Sequence, residues 1–410
     1  MTAPADEPAT VIRAASGGGA PRFVTGSIMG HLLVMAGTSA VGLMAIFISD
    51  LAAIYFLSLL KDVEMVAAVG YASSILFFAT SIGIGLAIAA TALVAPAIGA
   101  RDLDRARQLA TNTHLATLII SAVLAFMLWL SVGWLLTQLG ATGRTHALAV
   151  SYLSILVPAL PPLALGMTSG AVLRSVGDPR RAMYVTLAGA IVNIILDPIL
   201  IFGIGLGIHG AAIASVISRI AVMVIGLNGV IRIHDLLAPP SVQSLASDAR
   251  VIGAIAVPAV AANIANPISN AYVTYVIAGH GDDAVAGWAI IGRIMPVAFG
   301  LVYALSGSVG PVLGQNLGAC EHERVRRSVV DAVVITVGFT AVAWLLLAVF
   351  ADSLVDVFHA RGEAAELIQF NCRWVAPLFV FLGTLFIANA AFNTLGKAHL
   401  STWFNWARAT

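Results

Sequence analysis

The stretch Gly99-Ala-Arg-Asp-Leu-Asp-Arg-Ala-Arg107 is matched by a second stretch far along the chain, Gly318-Ala-Cys-Glu-His-Glu-Arg-Val-Arg326. The offset that relates Gly99 to Gly318 also relates Gly177 to Gly396. A constant offset without a gap over such a distance indicates an internal duplication. The sequence therefore predicts two similar units in tandem.

The composition places most of this chain in lipid. Hydrophobic residues make up 60% of the 410 residues and charged residues 10%, whereas a soluble domain carries roughly 25% charged residues. So few charges cannot cover a water-exposed surface. The net charge of +1 provides no field that would attract nucleic acid. Cys320 and Cys372 form no disulfide framework and no metal-ligand pattern.

Apolar segments long enough to cross a bilayer follow one another along the chain. About 20 apolar residues suffice for a helical span, and continuous apolar runs predict helices instead of barrel strands. We expect ten full spans and one that is begun, at 28–58, 66–98, 108–137, 148–172, 183–206, 209–233, 250–278, 285–317, 327–351, 367–393 and 400–410.

These spans divide the chain into four regions. Residues 1–24 lack the segments of a signal peptide and are expected to form a disordered tail. Residues 25–233 are predicted to form an N-terminal six-helix bundle, residues 234–249 a polar cytoplasmic linker, and residues 250–410 a C-terminal bundle.

The predicted fold class is an all-α polytopic membrane protein made of two parallel six-helix bundles. Thr410 corresponds to position 191 of the first unit. We therefore expect the second bundle to be truncated in its fifth helix, roughly 40 residues short of a complete pair. Tandem bundles of this kind are typical of transporters, which bind their cargo between the repeats.

Basic residues mark one side of the membrane. Most arginines fall in the N-terminal tail or in every second loop, whereas the intervening loops carry only Lys61, Arg144 and Arg361. Cytoplasmic loops are enriched in Lys and Arg. The pattern predicts a multi-pass protein of the cytoplasmic (inner) membrane with its N-terminus in the cytoplasm.

Two acidic residues lie inside spans of the first unit, Asp50 in span one and Asp197 in span five. An ionisable residue in a membrane helix costs roughly 2.5–3.5 kcal/mol on insertion scales, so each is a functional candidate. Asn193 shares a helix face with Asp197, and Pro198 frees a carbonyl. This oxygen-rich set suits a proton or a Na⁺ ion. A structural pairing of Asp197 with Arg219 is the alternative.

Further polar residues within the spans are candidates for lining a central cavity: Thr168, Ser169, Arg219, Asn263, Asn266 and Asn270. The three asparagines follow 3-then-4 spacing and form one stripe. Ser269 beside them stands at the position equivalent to Asp50. Interhelical hydrogen bonding explains such a stripe as well as cavity lining does.

Three segments, in this order within a duplicated chain, resemble the multidrug and toxic compound extrusion (MATE) family: Leu173-Arg-Ser-Val-Gly-Asp-Pro-Arg180, Ala265-Asn-Pro-Ile-Ser269 and Val312-Leu-Gly-Gln-Asn-Leu-Gly-Ala-Cys320. The resemblance covers residues 28–410. Asp50 together with Asn193-x-x-x-Asp197 resembles the acidic cluster of the DinF-like branch. The resemblance implies the MATE fold and a cluster that couples H⁺ or Na⁺ entry to drug exit.

The resemblance thus implies a secondary antiporter that exports amphipathic, often cationic, organic compounds in exchange for H⁺ or Na⁺. The expected partners are small organic substrates and the lipid bilayer, with no cofactor, and the expected state is a monomer. A lipid-linked oligosaccharide flippase of the same superfamily is the alternative; its pyrophosphate would have to be bound by Arg219, Arg293 and Arg373. An enzyme is disfavoured because the sequence shows no P-loop and no metal-ligand pair of histidines.

Overall fold

The computed structural model describes residues 21–358 and 360–409; residues 1–20 of the predicted tail 1–24 lie outside this part. The first half contains α1 (Ile28–Ser58), α2 (Val63–Gly99), α3 (Leu103–Gln138), α4 (Gly143–Leu156), α5 (Leu160–Ser175), α6 (Pro179–Pro198) and α7 (Ile208–Asn228). The second half contains α8 (Val242–Ala278), α9 (Asp282–Ala298), α10 (Gly300–Gly318), α11 (His322–Val349), α12 (Ala351–Val357), α13 (Gly362–Phe370), α14 (Phe379–Thr394) and α15 (Ala398–Ala409).

Nine segments of the described chain are single helices, or helices joined end to end, that are long and apolar enough to cross a membrane. Helices α9 and α10 make a tenth span if the pair, which is bent by 52°, is counted as one. The continuous span predicted at 285–317 is therefore bent. Its bend lies at Phe299, just after Pro296, which lacks the amide that would continue the helix. The all-α polytopic fold class is confirmed.

The duplication extends to the helix boundaries. The offset between Gly99 and Gly318 also relates the first residues of α2, α3, α4, α5 and α6 to the first residues of α9, α11, α13, α14 and α15, in that order. Single 3₁₀ turns at Val157–Ala159 and Ala376–Leu378 keep the same offset. In the first half, the side chains of Asp62, Asp102 and Asp178 cap the starts of α2, α3 and α6. These caps satisfy amides that the helix leaves without partners.

The structure moves two of the predicted boundaries. The predicted tail ended at residue 24, yet Phe23 is 3% exposed and packs with α1 and α10. The predicted linker ended at residue 249, yet α8 already begins at Val242. Within this helical start, Asp248 is buried and accepts a hydrogen bond from Arg105 of α3. Only 234–241 connects the two halves.

We call the end of the molecule at which α2, α5, α7 and α10 finish the basic end, because its loops carry arginines such as Arg101, Arg180 and Arg232. Two apolar clusters join the halves here. One packs Leu32 of α1 with Leu313 of α10, and the other packs α2 with the first half of α8. Two further clusters lie nearer the opposite end, and each draws its residues from one half. The halves therefore meet at the basic end and separate towards the other.

Two equivalent glycines allow α2 and α10 to cross at the basic end. A Cβ atom on Gly99 would lie 2.0 Å from the carbonyl oxygen of Gln315, and one on Gly318 would lie 1.9 Å from that of Pro96. No real Cβ approaches a carbonyl oxygen so closely. Main chain thus contacts main chain at this crossing, which we call the glycine seam.

Candidate functional site

Asp197 stands at the end of α6, where the helix passes through Pro198 into a π-helical turn at Ile199–Gly203. Asn193 donates its side-chain amide to Asp197 Oδ2 over 2.9 Å, as the shared helix face predicts. Asp197 is fully buried, and its Oδ1 has no hydrogen-bond partner within the described chain. The local geometry therefore fixes one carboxylate oxygen and leaves the other free to accept.

Asp50 belongs to the same interior but keeps an exposed side chain on α1. α1 packs against α6, with Gly42 directly over Thr186. Arg219 of α7 and Asp50 attract each other electrostatically. The sequence analysis placed Asp50 and Asp197 in one bundle, and the structure also brings an arginine to Asp50.

Arg219 is held by the backbone of α4. Its Nη1 donates to the carbonyl oxygen of Leu156 over 3.2 Å. Leu156 is the last residue of α4, and the following 3₁₀ turn redirects the amide of Leu160 to the carbonyl of Val157. The Leu156 carbonyl therefore lacks its helical partner and accepts from the guanidinium instead. Within the described residues no ion pair joins Arg219 to Asp197, so the structural pairing considered for Asp197 is not found.

Tyr152 is a member of this interior that the sequence analysis missed. It is buried on α4, lies beside Ser215 of α7, and interacts electrostatically with Arg219, Asp197 and Asp50. A tyrosine in an otherwise aliphatic stretch is a weak signal in a sequence. Only the packing of α4 against α7 shows that it joins the two acids and the arginine.

Thr168 and Ser169, predicted as possible cavity-lining residues, lie between helices α5 and α3. Both are fully buried. Thr168 is hydrogen-bonded to Thr117 over 3.1 Å, and Ser169 to His114 over 3.0 Å, so both join α5 to α3. The small residues around them also serve helix packing, because a Cβ on Gly166 would lie 2.3 Å from a methyl group of Val222 on α7.

The asparagine stripe of α8 divides. Asn263 is half-buried and donates to the carbonyl of Ala259 in its own helix. Asn266 accepts a hydrogen bond from Arg408 of α15. Asn270 is exposed. The first two thus have partners within the second half, whereas no side-chain partner of Asn270 is found in the part of the chain that the structure describes.

Among the described residues, no group of three or more His, Cys, Asp or Glu side chains is arranged to hold a metal ion. The candidate site in the first half instead consists of two acids, one amide, one tyrosine and one arginine. The equivalent of Asp50 in the second half is Ser269. The two halves therefore differ in charge at the same depth.

Comparison with known proteins supplies an independent line of evidence. The sequence model of the MatE family matches residues 39–199 and 258–409, two ranges whose starts keep the offset of the internal duplication. A protein of Shewanella oneidensis described as an FAD transporter is 31% identical over 386 residues, which cover 92% of this chain and 84% of that protein. The multidrug export protein MepA of Staphylococcus aureus is 24% identical over 359 residues, which cover 85% of this chain and 78% of MepA.

Solved structures show the same architecture. A mutant of the Vibrio cholerae MATE transporter VcmN superposes with a TM-score of 0.88 at 27% identity. The match covers 93% of this chain and 87% of VcmN. The shared region includes both halves.

Proposed function

The chain belongs to the MatE family of multidrug and toxic compound extrusion transporters, and we propose that it exports amphipathic, often cationic, organic compounds in exchange for H⁺ or Na⁺. It is a multi-pass membrane efflux transporter and not an enzyme. The exchange for a cation is our inference from the interior of the first half.

One observation carries the coupling proposal, namely the free oxygen of Asp197. A buried carboxylate oxygen without a partner costs several kcal/mol if the group stays charged. A proton on Oδ1 removes this cost by neutralising the acid, and a small cation does so by pairing with it. Asn193 occupies Oδ2, which directs either ion to Oδ1. Asp50 supplies a second acid on the accessible side.

Ion binding at the two acids would change the balance of charge around Arg219. With Asp50 neutral, Arg219 loses the attraction of that carboxylate and keeps its hydrogen bond to the Leu156 carbonyl. That carbonyl stands at the break between α4 and α5. We infer that the helices of the first half rearrange at this break when an ion binds. The two halves then rock about the central cleft. The arginine-rich basic end faces the cytoplasm of the inner membrane.

A second class of cargo follows from the relative described as an FAD transporter, which is 31% identical over 92% of this chain. A flavin dinucleotide is also amphipathic but carries negative phosphates. The phosphates of such cargo need a positively charged side chain in the cleft. Arg219, which lies among the candidate residues of the first half, is the arginine that could supply it.

Ethidium efflux from cells tests the coupling. We expect Asp197→Asn and Asp50→Asn to reduce efflux to the level of cells without the protein. Asp352→Asn is the matched control, because Asp352 is an exposed acid that pairs with Arg373 at the opposite end, and it should leave efflux unchanged. Equal amounts of protein in the membrane must be shown for each variant. Normal efflux by both Asp50 and Asp197 variants would remove these residues from the mechanism.

Purified protein in liposomes separates the ions and the cargo. A pH gradient and a Na⁺ gradient are imposed in turn, and the uptake of ethidium and of FAD is followed by fluorescence. Uptake driven by one gradient alone identifies the coupling ion. Uptake of FAD but not of ethidium would show that the cargo is the dinucleotide and not an organic cation.

A further inference from the structure

Two arginines at equivalent positions cross between the halves at the basic end. Arg105, in the first turn of α3, donates from both terminal nitrogens to Asp248 near the start of α8, over 3.0 and 2.7 Å. Arg324, its equivalent in the first turn of α11, donates to the carbonyl oxygens of Phe23 and Gly26, over 2.9 and 3.2 Å. Each half thus holds the segment that leads into the first helix of the other half.

Each crossing is reinforced by an asparagine. Asn112 donates to Asp248 over 2.7 Å, and Asp248 is 3% exposed. Asn316 is fully buried, accepts from Arg324 Nε over 2.9 Å and donates to the Phe23 carbonyl over 3.2 Å. Charge-assisted bonds of this kind, in a buried setting, are the strong class of hydrogen bond.

Gln315 adds a third connection on the side of Arg324. Its carboxamide is fully buried between the halves. The oxygen accepts from the backbone amide of Phe23 over 2.9 Å, and the nitrogen donates to the carbonyl of Ser175 over 2.7 Å. Arg22 completes this side by donating to the carbonyl of Gly177 over 3.1 Å. Residues 22–26 are therefore bonded to both halves at once.

The opposite end is built differently. Its ion pairs stay within one half: Arg144 pairs with Asp62 and Glu64 in the first half, and Arg373 pairs with Asp352 in the second. The described side chains thus join the halves by charge only at the end where α2 and α10 meet. A movement that opens the basic end must break the crossings of Arg105 and Arg324, whereas a movement at the opposite end breaks no such bond.

We propose that Arg105 and Arg324 are a matched pair of gate residues that hold the basic end closed and release it when the cleft opens to that side. The proposal rests on the transport function proposed above but concerns the gate alone. The pair acts by position: neither arginine needs to touch cargo or coupling ion. Opening exposes Asp248 to water, which offsets part of the loss of its bonds and keeps the gate reversible.

Distances between spin labels test the gate without any transport assay. In a variant in which Cys320 and Cys372 are replaced by serine, labels on Arg180 and His322 report the width of the basic end. Both side chains are exposed, one on each half. Labels on Lys61 and His280 report the opposite end. The measurement is made on the whole chain in lipid nanodiscs.

We expect Arg105→Ala and Arg324→Ala each to raise the ratio of open to closed basic ends about tenfold, the effect of losing one charge-assisted bond. The double variant should raise it further. Arg107→Ala is the matched control, because Arg107 is similarly exposed and pairs with Asp235 in the segment that follows the first half. It should leave the distances between the labels unchanged.

Distances in both arginine variants that match those of Arg107→Ala would overturn the proposal. If Arg105→Ala does not elute as a folded protein, Asp248→Asn takes its place, since it keeps the size of the side chain and removes its charge. A closed basic end in that variant and in Arg324→Ala would equally overturn the gate. Because the labels report conformation without cargo, a failure of efflux would contradict the proposed function and leave this result standing.

Discussion

Helix α2 runs unbroken from Val63 to Gly99, whereas its counterpart in the second half is divided into α9 and α10 with a bend of 52°. The difference has a local cause. Pro296 in α9 stands where the first half has Phe77, and proline cannot donate the hydrogen bond that continues a helix. Both halves nevertheless end this unit at the same equivalent glycine. The duplication thus fixes where the helices begin and end, and it tolerates a change of shape between those points.

The halves differ more in their interior chemistry than in their shape. Asp50 of the first half corresponds to Ser269, and Asp178 corresponds to Lys397. The acids that could exchange a cation therefore lie in the first half. The comparison teaches that a duplicated scaffold can keep its helix boundaries in both copies while the acidic residues differ between them.

The strongest test of the symmetry is a methyl group in the glycine seam. We expect Gly99→Ala and Gly318→Ala to destabilise the closed protein by more than about 4 kcal/mol, because the new Cβ meets backbone that cannot move aside. Thermal unfolding in detergent measures the effect. Gly338→Ala is the control, since no atom lies within 4 Å of its Cβ position, and it should be neutral or stabilising. If one of the two alanine variants unfolds like the unmutated protein and the other is destabilised, the two halves are not equivalent at the seam.

The next largest effect concerns the acids. We expect Ser269→Asp to fail to restore efflux to Asp50→Asn, which leaves activity at background. The reason is position: Asn193, Asp197 and Arg219 act from the first half, and an acid on α8 does not join them. Ethidium efflux measures the outcome, with Ser269→Asn as the uncharged control. Recovered efflux would mean that either half can carry the ion.

The smallest effect is expected at the start of α6. Burial raises the pKa of Asp178, but hydrogen bonds from His234 and Arg181 outweigh it and hold that pKa well below its usual range. A depressed pKa in the folded state adds stability above the ordinary value of 3.8, and this stability is lost as the pH falls below it. Asp178→Asn should therefore cost about 1–2 kcal/mol at pH 7.

Unfolding curves at pH 7 and pH 3 check this difference between the halves. The difference in unfolding free energy between Asp178→Asn and the unmutated chain should narrow at the lower pH, where the carboxyl of the unfolded chain takes up a proton while that of the folded chain stays charged. Lys397→Gln, at the equivalent exposed position of the second half, should shift neither curve. If this difference in unfolding free energy does not change with pH, the charge of Asp178 contributes nothing to stability.

The repeat was the most predictable part of the fold because turns and caps are local. Gly99 and Gly318 mark helix ends in the sequence as they do in the structure, and Asp102 caps the helix that follows the first of them. The bend at Phe299 was not predicted, since a proline inside an apolar run is also compatible with a straight span. The sequence analysis missed the helical start of α8 because Asp248 lies in a polar stretch that is typical of a linker. Its partner Arg105 is distant in sequence and meets it only in the folded protein.

The candidate site shows the same limit. The bond between Asn193 and Asp197 follows from spacing on one helix. The bond between Ser169 and His114, which are 55 positions apart, does not. Neither does the contact of Arg219 with the Leu156 carbonyl, which requires both the broken helix and its neighbour. Sequence therefore predicted which groups lie in the membrane, and packing decided which of them meet.

The glycine seam has a consequence for leakage. Exposed side chains change rotamers within nanoseconds. A closure made of side chains can therefore admit a short-lived chain of water molecules. Where Gly99 and Gly318 cross, main chain contacts main chain, and neither glycine has a side chain that could change its rotamer. This part of the closure therefore opens only when entire helices part, and not through the motion of single side chains.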